Sequence, residues 1–303
     1  MWSGISTNTA RQYSTGQNHY MKFCKTLNAF PFPASELLLL RFVASLDPKL
    51  RGSTVQNYLS AVRSLHIMNG FPCPFNEYER LKLVVKALKK SSGAPKKRSP
   101  VTIGMLREIC ARLNLRDYND VLLWAMMLSG FFGFLRVSEF TVTGTFSAHH
   151  DLSLNDLSLS QDLSMGYLQI KTSKCDPFRE GCRVVLGATD NAVCPILALM
   201  LYLNRQCPTN GPLFKFADGR AVSRHWFCKR LKEVLLSIGV KGDYSSHSLR
   251  IGAATAAAAA GVPHATIQLL GRWSSDAYKL YIRMSENQKK DFSKVLLSSY
   301  STF

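Results

Sequence analysis

The sequence predicts a mainly α-helical protein with a small antiparallel β-sheet, arranged as two domains. Three observations point there. Apolar residues recur at helical spacing through the first ninety positions and again from about 102 onward. A run of small residues, prolines and cations, SSGAPKKRSP (91–100), interrupts that pattern. Three short segments with strand character lie between 152 and 187. The expected division is a helical domain over 1–92, a basic linker over 93–100 and a second domain over 101–303.

Composition narrows the function classes. Of the 303 residues, 46% are hydrophobic, enough to bury real cores. Lys plus Arg number 38 against 20 Asp plus Glu, a formal charge of +18 that points to a polyanion, most often nucleic acid. The longest apolar run, VLLWAMMLSGFFGFL (121–135), is shorter than the ~20 residues a membrane span needs, and Asp120 and Arg136 bracket it. The opening MWSGISTNTARQY lacks the apolar core of a signal peptide, so an intracellular protein without membrane association is expected. The 8 cysteines form no CxxC pair and stand without metal-ligand company; reduced thiols are expected, with neither zinc nor disulfides.

In the first domain, Ser35 can cap a helix over 36–46, and Pro48 and Gly52 mark the break after it. Ser53 can cap the next, in which Val55, Tyr58, Leu59, Val62 and Leu65 make one apolar stripe that Gly70 ends. A third helix over about 75–90 should bury Leu81, Val84, Val85 and Leu88 and expose Lys82, Lys86, Lys89 and Lys90. Such a stripe can be a mere solvated face; in a chain this basic, contact with phosphates is the better reading. The linker brings Lys96, Lys97 and Arg98 in succession, expected to be extended, solvated and close to DNA. PKKR fits a nuclear-import signal equally well, which would place a eukaryotic protein in the nucleus.

The second domain opens with Ile103, Leu106, Ile109 and Leu113 in helical register. The apolar run then reads as a long buried helix finishing in Arg136. A buried guanidinium needs a partner, and Glu139, i+3, can supply one. Segments 152–159, 165–171 and 183–187 read as strands, the first with clear alternation. Between the second and third, TSKCDPFREG is turn-like and carries Lys174, with Lys171 just before it. A helix over 194–206 follows, then one capped by Ser223 that buries Trp226, Phe227, Leu231, Val234 and Leu235. That helix should expose Arg224, Lys229, Arg230 and Lys232 as a second basic surface.

The chemistry concentrates in SSHSLRIGAATAAAAAGVPHATIQLLGRWSSDAYKLYIR (245–283). His247 and Arg250 open a helix of small residues that can pack closely, and Gly261 and Pro263 stop it. GRW follows, with Tyr281 eight residues past Trp273. An arginine can grip two phosphate oxygens, a histidine can move a proton near neutral pH, and an assisted tyrosine hydroxyl can attack phosphorus. That set fits phosphoryl transfer from a nucleic-acid backbone to protein.

HSLRIG, GRW and YIR together resemble the C-terminal signature of the tyrosine recombinases (phage integrases), and FLRVSEF resembles the string around that family's first arginine. The resemblance implies a helical core-binding domain that clamps DNA and an α+β catalytic domain. It implies a catalytic set of Arg136, Lys174, His247, Arg250, Trp273 and Tyr281, with Glu139 in support. Arg136 and Arg250 would hold the phosphate, Tyr281 attack it, His247 handle a proton and Lys174 protonate the leaving 5′-oxygen. Lys171 is the rival for the lysine and Tyr278 for the tyrosine, and Trp273 to Tyr281 is one residue shorter than in Cre-type enzymes. The implied partner is double-stranded DNA, bound by a homotetramer on paired sites through a C-terminal assembly helix. Metal, ATP and small-molecule substrate are not required. GFFGFLRVSEF, SKCDPFREG and GRWSSDAYKLYIR look most like recombinases of eukaryotic mobile elements of the Crypton and DIRS-like kinds. A type IB topoisomerase, or a domesticated protein that binds DNA without cutting it, would carry much of the same sequence.

Overall fold

The computed structural model describes residues 7–72, 74–94, 96–171, 180–206 and 210–282. The chain divides into two compact units between Lys96 and Lys97.

Among the described residues the first unit holds the α-helices α1 (Thr7–Thr26), α2 (Glu36–Ser45), α3 (Gly52–Met68) and α4 (Glu79–Ser91), with a 3-10 turn over Pro74–Asn76. Its core joins Tyr20, Leu39, Phe42, Val55, Leu59, Val62, Leu81 and Val85. Ser35 caps α2 by accepting from the Leu38 N–H, as its sequence position suggests. Ser53 does not cap α3: the helix begins at Gly52 with Arg51 at the cap position, two residues earlier than a Ser53 cap would give, and the Gly52 N–H donates to Ser92 Oγ at 2.8 Å. A Cβ at 52 would lie 2.6 Å from the Leu88 carbonyl carbon, so glycine lets α3 begin against the end of α4. α1 buries only a narrow line, Gly16, Gln17, Tyr20 and Cys24, and Gly16 allows it to approach Tyr58 and Ala61 of α3.

The second unit is organised around α6 (Tyr118–Phe132), in which every residue from Val121 to Phe131 is buried. A helix apolar on all sides can only be central, and each large side chain buried there contributes on the order of 2 kcal/mol. No helix among the described residues is long and apolar enough to cross a membrane. Around α6 pack α5 (Ile103–Arg112), α7 (Val137–Phe140), α8 (Pro195–Leu203), α9 (Arg224–Ser237) and α10 (His247–Ala259), with α11 (His264–Leu270) beyond.

One antiparallel sheet in the order β1–β2–β3 covers a side of the core: β1 (Leu157–Leu159), β2 (Met165–Ile170) and β3 (Cys182–Gly187). Its register pairs Leu157 with Leu168 and Leu168 with Val184, which sends Leu168, Ile170, Val184 and Leu186 inward. The first strand is shorter than 152–159, because 154–156 forms a 3-10 turn.

Two further expectations are corrected. α6 does not run to Arg136: it ends at Phe132, and the chain turns through Gly133 and Phe134, the latter at φ 49°. Arg136 then caps α7 instead. The linker's distal end is not free in solvent either. Ser99 and Val101 donate their N–H groups to Asp243 O and Ser248 O, both at 2.9 Å, and Arg98 pairs with Asp243.

Candidate active site

Arg250 reaches the interior because α10 is built from small residues. A Cβ at Gly252 would stand 1.9 Å from the Val101 carbonyl oxygen, so this glycine sets how closely the helix lies on the core. Arg250 is 1% exposed, and a guanidinium so buried requires acceptors. It donates from Nη1 to Phe134 O at 2.7 Å and from Nη2 to Gly271 O. The Trp273 ring lies over it, with Arg250 Cζ 4.4 Å from the ring centroid, a cation–π contact. Burial pushes its pKa down to about 10; Arg136 and Arg272 press the same way and Glu139 opposes them. It remains charged at neutral pH.

Arg136 is held by the carboxylate three residues ahead. Its backbone N–H donates to Glu139 Oε2 at 2.8 Å and its Nη1 to Oε1 at 2.9 Å. Glu139 in turn is buried, so its charge needs these donors. The 133–135 turn therefore does two jobs: it aims Arg136 and offers the Phe134 carbonyl to Arg250.

His247 is the first residue of α10 and is exposed at its outer edge. Partial desolvation, followed by the cations Arg224, Arg250, Arg136 and Arg98, holds its pKa below the ordinary imidazole value. Its ring is therefore neutral at pH 7, able to accept a proton.

Tyr281 is half-buried directly after a 3-10 turn (Asp276–Leu280), and its ring centroid lies 5.5 Å from that of Trp273. Thr255 Oγ1 donates to the Tyr281 carbonyl at 2.9 Å, tying the segment to α10. Tyr278 is different. It is 5% exposed, part of the core, and meets His264 edge-on at 6.0 Å.

The structure thus brings Arg136, Glu139, Arg250, Trp273 and Tyr281 into one connected set, with His247 inside its electrostatic reach. Lys174 lies outside the described residues. Lys171 is engaged: its Nζ pairs with Asp156 Oδ2 at 2.6 Å and donates to Ala148 O at 2.6 Å. It pins the 148–156 loop to the end of β2.

Of the basic residues, Lys82, Lys86, Lys89 and Lys90 are exposed on α4, and Lys96 and Lys97 are exposed beside the unit boundary. Arg224 and Lys229 are exposed on α9. Arg230 is not: it is pulled into ion pairs with Asp120 at 2.8 Å and Glu233 at 2.6 Å. Trp226, expected in the core, is only partly buried.

Sequence reasoning assigned no role to Arg272. The signal was the one-residue shortfall between Trp273 and Tyr281, since Arg272 stands one residue further from the tyrosine.

No family model matches the chain. It is similar to the integrase/recombinase xerD homolog of Selenomonas ruminantium, 22% identical over 291 residues, covering 89% of this chain and 79% of that protein. Among solved structures it resembles XerH site-specific recombinase bound to palindromic difH substrate, in a post-cleavage complex. The TM-score is 0.66 at 14% identity, over 95% of this chain and 79% of that one. A lambda integrase dimer bound to a COC′ core site superimposes with a TM-score of 0.61 at 15% identity, over 93% and 90% of the two chains. The Tn1549 transposon integrase in complex with circular intermediate DNA gives 0.60 at 12%, over 96% and 94%. The chain is therefore built on the tyrosine recombinase fold.

Proposed function

We propose that this protein is a site-specific DNA recombinase that breaks and rejoins strands through a covalent 3′-phosphotyrosine. The observation that carries this reading is the convergence of two supported arginines, Arg136 and Arg250, with Trp273 and Tyr281 in one connected set.

In the cleavage step the Tyr281 oxygen attacks the scissile phosphorus; the new O–P bond forms as the bond to the 5′-oxygen breaks. The tyrosine proton leaves toward neutral His247, and Lys174 supplies a proton to the departing 5′-oxygen. Arg136 and Arg250 stabilise charge on the non-bridging oxygens as it builds. Rejoining is the reverse with a second strand's 5′-hydroxyl, so the energy of the broken bond stays in the phosphotyrosyl ester. The finer reading is a mobile-element enzyme of the Crypton or DIRS-like kind. It would act in the nucleus as a tetramer on paired sites, with the core-binding domain over 1–92 and the catalytic domain over 101–303. The GRW-to-YIR string supports the element type, and PKKR supports the compartment.

The test uses duplexes selected by binding from a random DNA pool, nicked so that cleavage cannot reverse. The full chain should become attached to the DNA 3′ end, Tyr281→Phe should abolish attachment while binding persists, and Tyr278→Phe should not. Attachment lost in Tyr278→Phe and kept in Tyr281→Phe would overturn the assignment.

A further inference from the structure

Arg272 sits at φ 54°, in the left-handed region that residues with a Cβ rarely adopt. Its neighbours enforce the turn. A Cβ at Gly271 would stand 1.6 Å from the Trp273 ring, so only glycine can precede Arg272 here. Backbone strain of this kind persists only where surrounding contacts hold it. The contacts are on the guanidinium. Arg272 Nη2 donates to Glu139 Oε2 at 2.7 Å and reaches Phe134 O at 3.4 Å; Nη1 reaches Gly133 O at 3.4 Å. Its Nε is buried with no acceptor among the described residues.

Two of these partners also hold another arginine. Glu139 Oε2 accepts the Arg136 N–H, and Glu139 Oε1 accepts Arg136 Nη1. Phe134 O accepts Arg250 Nη1. One side chain therefore couples the support of Arg136 to the support of Arg250. We propose that Arg272 is a positioning residue for the phosphate clamp, fixing the Glu139 carboxylate and the 133–134 turn so that both arginines converge on one phosphate.

Charge argues that this is more than a structural brace. Arg136, Arg250 and Arg272 around Glu139 carry a formal +2, and three cations about one carboxylate repel one another. A neutral side chain would relieve that repulsion. A phosphodiester brings −1 and an ionised tyrosine another −1, so the pentacoordinate transition state carries −2. The cluster matches the transition state better than the ground state, which is the condition for faster chemistry rather than tighter binding.

This inference rests on the proposed strand-cleavage reading. The full chain and its Arg272→Lys, Arg272→Met, Glu139→Gln and Arg272→Met/Glu139→Gln variants are followed on the nicked duplex in single turnover. The rate constant and plateau of covalent complex, the DNA affinity and the unfolding temperature are read together. Arg272→Met is expected to lower the rate constant about 100-fold, the scale of a misplaced catalytic group, with plateau and affinity kept. Arg272→Lys retains charge but cannot span both acceptors, and should fall between Met and wild type. Because Arg272 acts through Glu139, the double variant should be little slower than the slower single one. Wild-type rate constants in both Arg272 variants overturn the proposal, as does a lowered plateau at an unchanged rate constant, which signals misfolding alone. Additive losses in the double variant overturn the coupling. If the wild-type chain forms no covalent complex, the strand-cleavage reading itself falls, and the role of Arg272 with it.

Discussion

The arginine cluster around Glu139 and the lysine face of α4 use the same sign of charge in opposite ways. In the cluster, every guanidinium is held by named acceptors, and Arg250 is almost fully buried. On α4, Lys86, Lys89 and Lys90 are exposed and make no ion pair among the described residues; only Lys82 is paired, with Glu79 at 2.7 Å. Burial fixes geometry and keeps water from screening the charge, which is what transition-state stabilisation needs. Exposure leaves charge to be traded against salt ions, which yields affinity without position. Cations that look alike in sequence are therefore expected to separate into chemistry and binding.

The largest expected effect breaks the cluster. Arg250→Lys keeps the charge but cannot serve Phe134 O and Gly271 O while lying flat beneath Trp273. Cleavage on the nicked duplex should fall at least about 100-fold, the cost of losing one preorganised donor, while single-site binding changes little. Equal loss of binding and cleavage would erase the distinction between the two regions.

Replacing Lys86, Lys89 and Lys90 together with serine should do the converse. Binding weakens, and the slope of log affinity against log salt flattens by roughly 2.7, about 0.9 for each of three phosphate contacts. The rate at saturating DNA stays the same. Arg230→Gln is the control, because its ion pairs to Asp120 and Glu233 make it a brace of α9 rather than a DNA contact. It should leave the salt slope alone and cost roughly 1 kcal/mol of stability or less, as the pair is partly exposed. An unchanged slope in the triple variant would remove α4 from the interface.

What could be read beforehand follows the range of the interactions. Helices with broad apolar stripes, the Ser35 and Ser223 caps and the small-residue helix α10 are local signals, and all appear in the structure. α1 was not legible because its inward line is glycine, glutamine, tyrosine and cysteine rather than aliphatic. The α3 start was misread because its cap comes from Ser92, 40 residues away. Arg230 was misread for the same reason, since Asp120 is 110 residues upstream. In the site, motif order pointed to Arg136, Arg250, Trp273 and Tyr281, which the fold brings together, but Arg272 joins them through Glu139 and Phe134, 133 and 138 residues earlier. No local pattern encodes that pairing.

The smallest effect sharpens the border between the two kinds of cation, because Arg224 is exposed yet acts on the cluster's histidine. The His247 pKa is lowered first by desolvation and next by Arg224. The unperturbed imidazole value is about 6.5, so the acid limb of kcat/KM for the free protein should lie below that pH. The sign follows from the proposed role: if neutral His247 accepts the tyrosine proton, activity is present above the folded pKa and lost as pH falls through it. The neutral ring's contribution to folding stability follows the same direction, present above about 6.5 and lost as pH falls through the lowered value. Arg224→Gln removes one nearby positive charge and should move the limb to higher pH by a fraction of a unit, leaving the rate at pH 8 unchanged. Raising salt should shrink the difference, since an exposed arginine is screened over roughly 8–10 Å at ordinary ionic strength. A limb that stays in place would separate Arg224 from the site. A rate that rises as pH falls would mean that the protonated ring binds phosphate, and His247 would then be a clamp residue instead of the base.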